Sequence, residues 1–96
     1  MFIIDLTYTA PLTEVDALLE AHVAYLKEQY VRGVFLASGR KTPRTGGVIL
    51  ARCESKDVLW RILDQDPFHA GGVAEYTVTE FTASMTAEGL EALQGG

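Results

Sequence analysis

The chain has 96 residues, 48% hydrophobic and 22% charged, an ordinary balance for one soluble globular domain. Its net charge of −5 argues against nonspecific nucleic-acid binding, because phosphates repel an acidic surface. The lone cysteine, Cys53, excludes an internal disulfide and leaves too few ligands for a thiolate zinc site.

Phe2-Ile3-Ile4 is broken at once by Asp5 and is too short for a signal peptide or a membrane span. These totals predict a cytoplasmic protein with a single domain over residues 1–96. A chain this short buries only about 60–70% of its unfolded surface, so pairing with a twin subunit would add useful burial.

Phe2, Ile4, Leu6 and Tyr8 alternate along one face of a first strand, with Ile3, Asp5 and Thr7 on the other. Pro11 ends that element. Thr13 reads as a helix N-cap, with Asp16 three residues later and Glu14 favouring the first turn. Val15, Leu18, Leu19, His22, Leu26 and Tyr30 then follow the three-four spacing of an amphipathic helix, and Gly33 suits its end.

Val34 to Ala37 is a short second strand. The stretch Arg40 to Gly47 reads as a loop from its Pro and Gly content, and Val48 to Cys53 as a third strand. Ser55 is a second N-cap, opening a helix through Val58, Leu59, Ile62 and Leu63 that stops near Asp66, since Pro67 disfavours helical geometry before it. Val73 to Phe81 is a fourth strand. Ala87 to Gln94 suggests a short terminal helix, with Gly95-Gly96 frayed.

The order is βαββαβ, an α+β, ferredoxin-like arrangement with both helices on one face of an antiparallel sheet. The second face also carries apolar side chains, Ile3 and part of Val48–Ala51 among them, and a twin subunit would cover it.

Two polar residues occupy apolar slots in this pattern. His22 lies on the inward stripe of the first helix. It is either a core histidine satisfied by a backbone carbonyl or one half of a proton-transfer pair. Asp66 extends the stripe of the second helix, at a C-terminus where the macrodipole disfavours a carboxylate. It is either a turn residue bonded to the following backbone or the partner of His22. If they meet, Asp66 would hold one imidazole tautomer and His22 would act as general acid or base.

Ser38-Gly39 ends the second strand, where Ser38 is a plain strand end, a ligand contact or, as the one plausible hydroxyl, a nucleophile. Arg40, Lys41 and Arg44 share a loop that is either simply solvated or placed to receive an anionic substrate, with Arg40 nearest Ser38. Tyr8 and Phe68 are either core packing or pocket walls. No ligand spacing supports a metal site through His69, which reads as a surface residue. Trp60 lies off its helix stripe and suits a subunit interface, and Cys53 reads as a small buried hydrophobe or a strand end.

The chain resembles the YciI-like, or YCII-related, family. The resemblance is carried by His22-Val23-Ala24-Tyr25-Leu26, by Phe35-Leu36-Ala37-Ser38-Gly39, by Gly46-Gly47-Val48, and above all by Asp66-Pro67-Phe68 followed by Gly72-Val73. It implies a ferredoxin-like subunit of a dimeric α/β barrel, an active-site dyad at His22 and Asp66, and a pocket serine at Ser38. Related barrels include monooxygenases and muconolactone isomerase, and some YciI-like proteins are associated with breakdown of chlorinated aromatics. The family often has an arginine before the histidine of its first helix, whereas Leu18 to Ala21 carry no cation here.

Together these readings predict a homodimer with a small enzyme-like pocket acting on a small metabolite, aromatic or lactone-like. His22 and Asp66 would be catalytic, and Ser38, Gly39, Arg40, Phe68 and Tyr8 would bind substrate, in an isomerisation or elimination. Neither a metal nor an organic cofactor is indicated, nor a nucleic-acid or membrane partner. The rival is a noncatalytic ligand-binding or accessory dimer in which His22 and Asp66 form a structural bridge.

Overall fold

A computed structural model describes residues 1–95. Its elements are β1 (Phe2–Tyr8), α1 (Leu12–Val31), β2 (Phe35–Arg40), β3 (Gly46–Ala51), α2 (Lys56–Leu63), α3 (Pro67–Ala70) and β4 (Ala74–Glu80), followed by a 3-10 turn at Glu91–Leu93. The four strands form one antiparallel sheet in the order β2-β3-β1-β4. This is the ferredoxin-like α+β arrangement, with a short third helix added before the last strand.

The alternation in β1 sets the core. Phe2, Ile4 and Leu6 are buried, and their register partners Ala51 and Ile49 on β3 are buried with them. Leu59 and Leu63 of α2 and Phe68 of α3 close over that face. Gly46 sits so close to β1 that a Cβ there would lie 1.8 Å from the Leu6 carbonyl oxygen, so the crossing admits only glycine.

Helix α1 begins earlier than the Thr13 cap predicts. Pro11 is the N-cap residue, and its carbonyl accepts from Glu14 N at 2.9 Å and Val15 N at 3.2 Å. Asp16 serves an ion pair with Arg44 instead of a capping box. At the other end Gly33 takes φ +76°, Gly33 N donates to Tyr30 O, and Val34 N donates to Gln29 O. That reciprocal pair is a Schellman motif, which explains the glycine.

The buried line of α1 is Val15, His22, Tyr25 and Gln29. Leu19 and Leu26 are only half-buried because they border an open cavity, and Tyr30 is exposed.

The second strand runs to Arg40, so Ser38, Gly39 and Arg40 lie within it and not at its end or in the following loop. Gly46 and Gly47 likewise belong to β3, which ends at Ala51. An irregularity between Phe35 and Ala37 makes Leu36 an extra residue. Such a bulge reverses side-chain parity. Beyond it Ser38 faces Ile49 and Arg40 faces Gly47, on the same sheet face as Phe35.

Ser55 caps α2 as predicted, its hydroxyl accepting from Val58 N at 3.2 Å. That helix ends at Leu63, three residues before Asp66. In place of a terminal helix over 87–94 there is one 3-10 turn, with Gly89 at φ +91° interrupting helical geometry. Gly95 is tied rather than frayed, its N–H donating to Ala83 O at 2.9 Å, and Gly96 lies outside the described residues.

Candidate functional site

The inward face of α1 delivers His22 to the start of α3. His22 Nδ1 lies 2.7 Å from Asp66 Oδ1 across 44 residues of sequence. A carboxylate only accepts, so Nδ1 carries the proton and, in the neutral ring, Nε2 carries the lone pair. The imidazole also stacks on Phe68, with centroids 3.8 Å apart and planes 6° from parallel. Asp66 fixes which nitrogen points inward, and Phe68 fixes the plane of the ring.

Asp66 does not end the second helix. It is the N-cap of α3, with Pro67 at the first helical position, where the helix dipole favours a negative charge. Its Oδ1 accepts from Phe68 N at 3.0 Å as well as from His22. Both local readings of this residue therefore hold together: it bonds the following backbone and it partners the histidine. Its Oδ2 accepts from Tyr76 OH at 2.5 Å. Three donors converge on a fully buried carboxyl, as the desolvation of a carboxylate demands.

Tyr76 is a member of this constellation that residue-by-residue reading passes over. Strand β4 pairs it with Leu6 and so turns it toward the core face. The alternation Ala74, Tyr76, Val78 is its sequence signal. Burial, then the nearby Asp66 charge, push its phenol far above the usual range, so it stays a donor. Tyr25 is raised by the same two causes in the same order, and its hydroxyl donates to Ile62 O at 2.8 Å.

A cavity of about 140 Å³ opens beside His22. Leu19, Val23, Leu26 and Phe68 give it apolar walls, and Ser38, Gly39, Arg40 and Tyr8 also border it. Every residue predicted to bind substrate therefore lines one space with His22. Ser38 Oγ is held 2.6 Å from Tyr30 OH. Tyr8 meets Phe68 edge-on at 6.0 Å, and the Arg44 guanidinium lies 5.9 Å over the Tyr8 ring.

The three cations of residues 40–44 do not act as a group. Lys41 Nζ bonds Asp5 Oδ1 at 2.6 Å and Thr7 Oγ1 at 3.2 Å on the far side of the sheet. Arg44 Nη2 bonds Asp16 Oδ1 at 2.5 Å, and this contact holds the exposed Asp16 carboxyl below its usual range. Of the three, only Arg40 borders the cavity, on the core side of β2 by its register with Gly47.

His69 is partly exposed; its Nε2 lies 3.6 Å from Asp64 Oδ1, and its ring meets Tyr76 edge-on at 5.1 Å. Among the described residues no group of three or more His, Cys, Asp or Glu side chains is placed to share a metal ion. Cys53 is half-buried, and burial raises its thiol. Trp60 is half-buried and contacts the His69 ring edge.

A ferredoxin-like sheet with a buried histidine–carboxylate pair beside a cavity of about 140 Å³ defines a small α+β domain. The family model of the YCII-related domain matches residues 1–82, and the chain belongs to that family. No curated protein sequence matches it. Among solved structures it is similar to a 5-chloro-2-hydroxyhydroquinone dehydrochlorinase from Burkholderia phenoliruptrix AC1100, in complex with 2,5-dihydroxybenzoquinone. The TM-score is 0.68 at 20% identity, covering 85% of this chain and 94% of that one. At that identity the likeness establishes the shared fold. No helix among the described residues is long and apolar enough to cross a membrane.

Proposed function

We propose that this single YCII-related domain is a proton-transfer enzyme, with His22 as general base and acid and Asp66 as its orienting partner. The observation that carries the reading is the 2.7 Å His22–Asp66 bond at the wall of an apolar cavity of about 140 Å³. An apolar cavity of about 150 Å³ holds a benzene ring, so one ring is the size of substrate that fits.

In this reading Nε2 takes a proton from an acidic position of the ring, and Asp66 stabilises the imidazolium that forms. Returning the proton to another position completes an isomerisation. Departure of a leaving group from the adjacent carbon completes an elimination. The name of the similar dehydrochlorinase supports the second outcome and a quinone- or hydroquinone-like ring; a lactone of similar size suits the first. Ser38, Gly39, Arg40, Tyr8 and Phe68 contact the substrate.

The protein acts as a cytoplasmic homodimer in this reading. The sheet face away from the helices exposes Ile3 and Val48, and a twin subunit laid on it completes a barrel. Sedimentation at micromolar concentration tests this: a monomer overturns it.

The catalytic reading is tested with a panel of one-ring hydroxyhydroquinones and lactones that includes 5-chloro-2-hydroxyhydroquinone. Turnover by the native protein should fall by about 10²–10⁴ in His22→Gln, the usual worth of a positioned acid or base. If 2,5-dihydroxybenzoquinone binds beside His22 and no compound of the panel turns over, the reading fails. The second reading, a noncatalytic ligand-binding or accessory dimer, is then favoured. It is supported by the cap that Asp66 gives α3, a structural duty that persists without catalysis.

A further inference from the structure

We propose that the cavity selects a one-ring organic monoanion, with its carboxylate held by Arg40. This rests on the proton-transfer reading and names the substrate class for it.

The electrostatics of residues 40–44 carry the inference. Two of the three cations there are already neutralised by carboxylates, Lys41 by Asp5 and Arg44 by Asp16. The side chain of Arg40 has neither a hydrogen bond nor an ion pair among the described residues, and Arg40 is the one of the three that borders the cavity. Asp16 feels its charge, but the contact partner of Asp16 is Arg44.

An unpaired arginine whose strand register turns it toward an apolar space can receive a planar anion there, because its fork of N–H groups matches a carboxylate. The surrounding chain carries a net charge of −5, so an anion gains its local attraction at this position and little elsewhere. One unpaired cation at the cavity matches one negative charge, and the proposal is accordingly for a monoanion. The walls of Leu19, Val23, Leu26 and Phe68 take the apolar ring, and the volume admits one ring only. The bulge at Leu36 is what brings Arg40 to this face, since regular alternation from Phe35 would turn it outward.

Benzoate and benzamide test the proposal, being close in shape and different in charge. Each is titrated into the full chain at low salt, with binding followed by the ring resonances of His22 and Phe68. Benzoate should bind about tenfold or more tightly than benzamide, the usual worth of a charge-assisted pair. Arg40→Gln should erase the difference, and Arg40→Lys should restore part of it. Arg40 is exposed on an edge strand, and a thermal melt confirms that each variant keeps its fold.

Equal binding of the two probes, failure of benzoate to perturb the cavity resonances, or a preference that survives Arg40→Gln overturns the proposal. The two readings fail separately. His22-dependent turnover confined to neutral compounds removes the anion and leaves proton transfer. An Arg40-dependent benzoate preference in a protein that turns nothing over does the reverse.

Discussion

The imidazole of His22 lies flat against the ring of Phe68, with centroids 3.8 Å apart and planes within 6°. The two residues that bracket Pro67 thus hold the same histidine, Asp66 through a ring nitrogen and Phe68 through the ring face. One short helix presents both contacts, so α3 is the mount of the site.

Phe68 is also core, fully buried and edge-on to Tyr8. Phe68→Ala should cost about 3–5 kcal/mol in urea unfolding, as large-to-small core changes do. With the stack gone, His22 ring resonances should broaden as the imidazole samples more than one plane. Sharp, unshifted resonances would mean that Asp66 alone orients the ring.

Tyr76 and Asp66 should prove energetically coupled. Tyr76→Phe leaves Asp66 Oδ2 without its donor in a buried site and should cost about 1–3 kcal/mol. Asp66→Ala strips three donors of their acceptor and breaks the pair, with an expected cost of about 3–5 kcal/mol. A double-mutant cycle checks the relation: the double variant should be less destabilised than the sum by about 0.5–3 kcal/mol.

Alkaline pH should weaken the fold through the same phenol. Burial, followed by the Asp66 charge, raises Tyr76 above the usual 10.0 in the folded state. Above that value the unfolded chain releases a proton that the native protein keeps. The stability contribution is therefore complete below pH 10.0 and is lost as pH rises toward the folded value. The slope is about 1.4 kcal/mol per pH unit for each such proton. Urea midpoints between about pH 9 and 11 should fall more steeply in the native chain than in Tyr76→Phe.

Gln29 is a place where the fold can be improved. It is fully buried on α1, and neither amide atom of its side chain has a hydrogen-bond partner among the described residues. Gln29→Met keeps the length of the side chain and removes the unpaired amide. It should stabilise the protein by about 1–3 kcal/mol, read as a higher urea midpoint at unchanged slope.

Much of this structure is legible from residues alone. The alternation Phe2, Ile4, Leu6 reads as a half-buried strand because period two is a local property of one strand. Ser55 announces α2 because a cap is satisfied within three residues. His22 is conspicuous because a polar side chain interrupts an apolar stripe. The start of α1 is read two residues late, since a threonine is the stronger cap by type and the carbonyl of Pro11 is used instead. The local electrostatics of Asp66 are read with the wrong sign, because α2 stops at Leu63 and a separate four-residue helix begins after Asp66.

Residue spacing alone accounts for the four strands, for α1 and α2 between them, for the inward position of His22 and for a carboxylate before Pro67, but not for α3. These follow from spacing within single elements. Tertiary packing is what brings His22 to Asp66 across 44 residues, aims the Tyr76 hydroxyl at the second carboxylate oxygen, and sets Arg40 beside the cavity while Lys41 and Arg44 pair elsewhere. Those relations depend on which strand lies beside which and on one extra residue at Leu36 that reverses the parity of β2. A bulge is defined by the register of the neighbouring strand, so no periodicity within β2 reveals it.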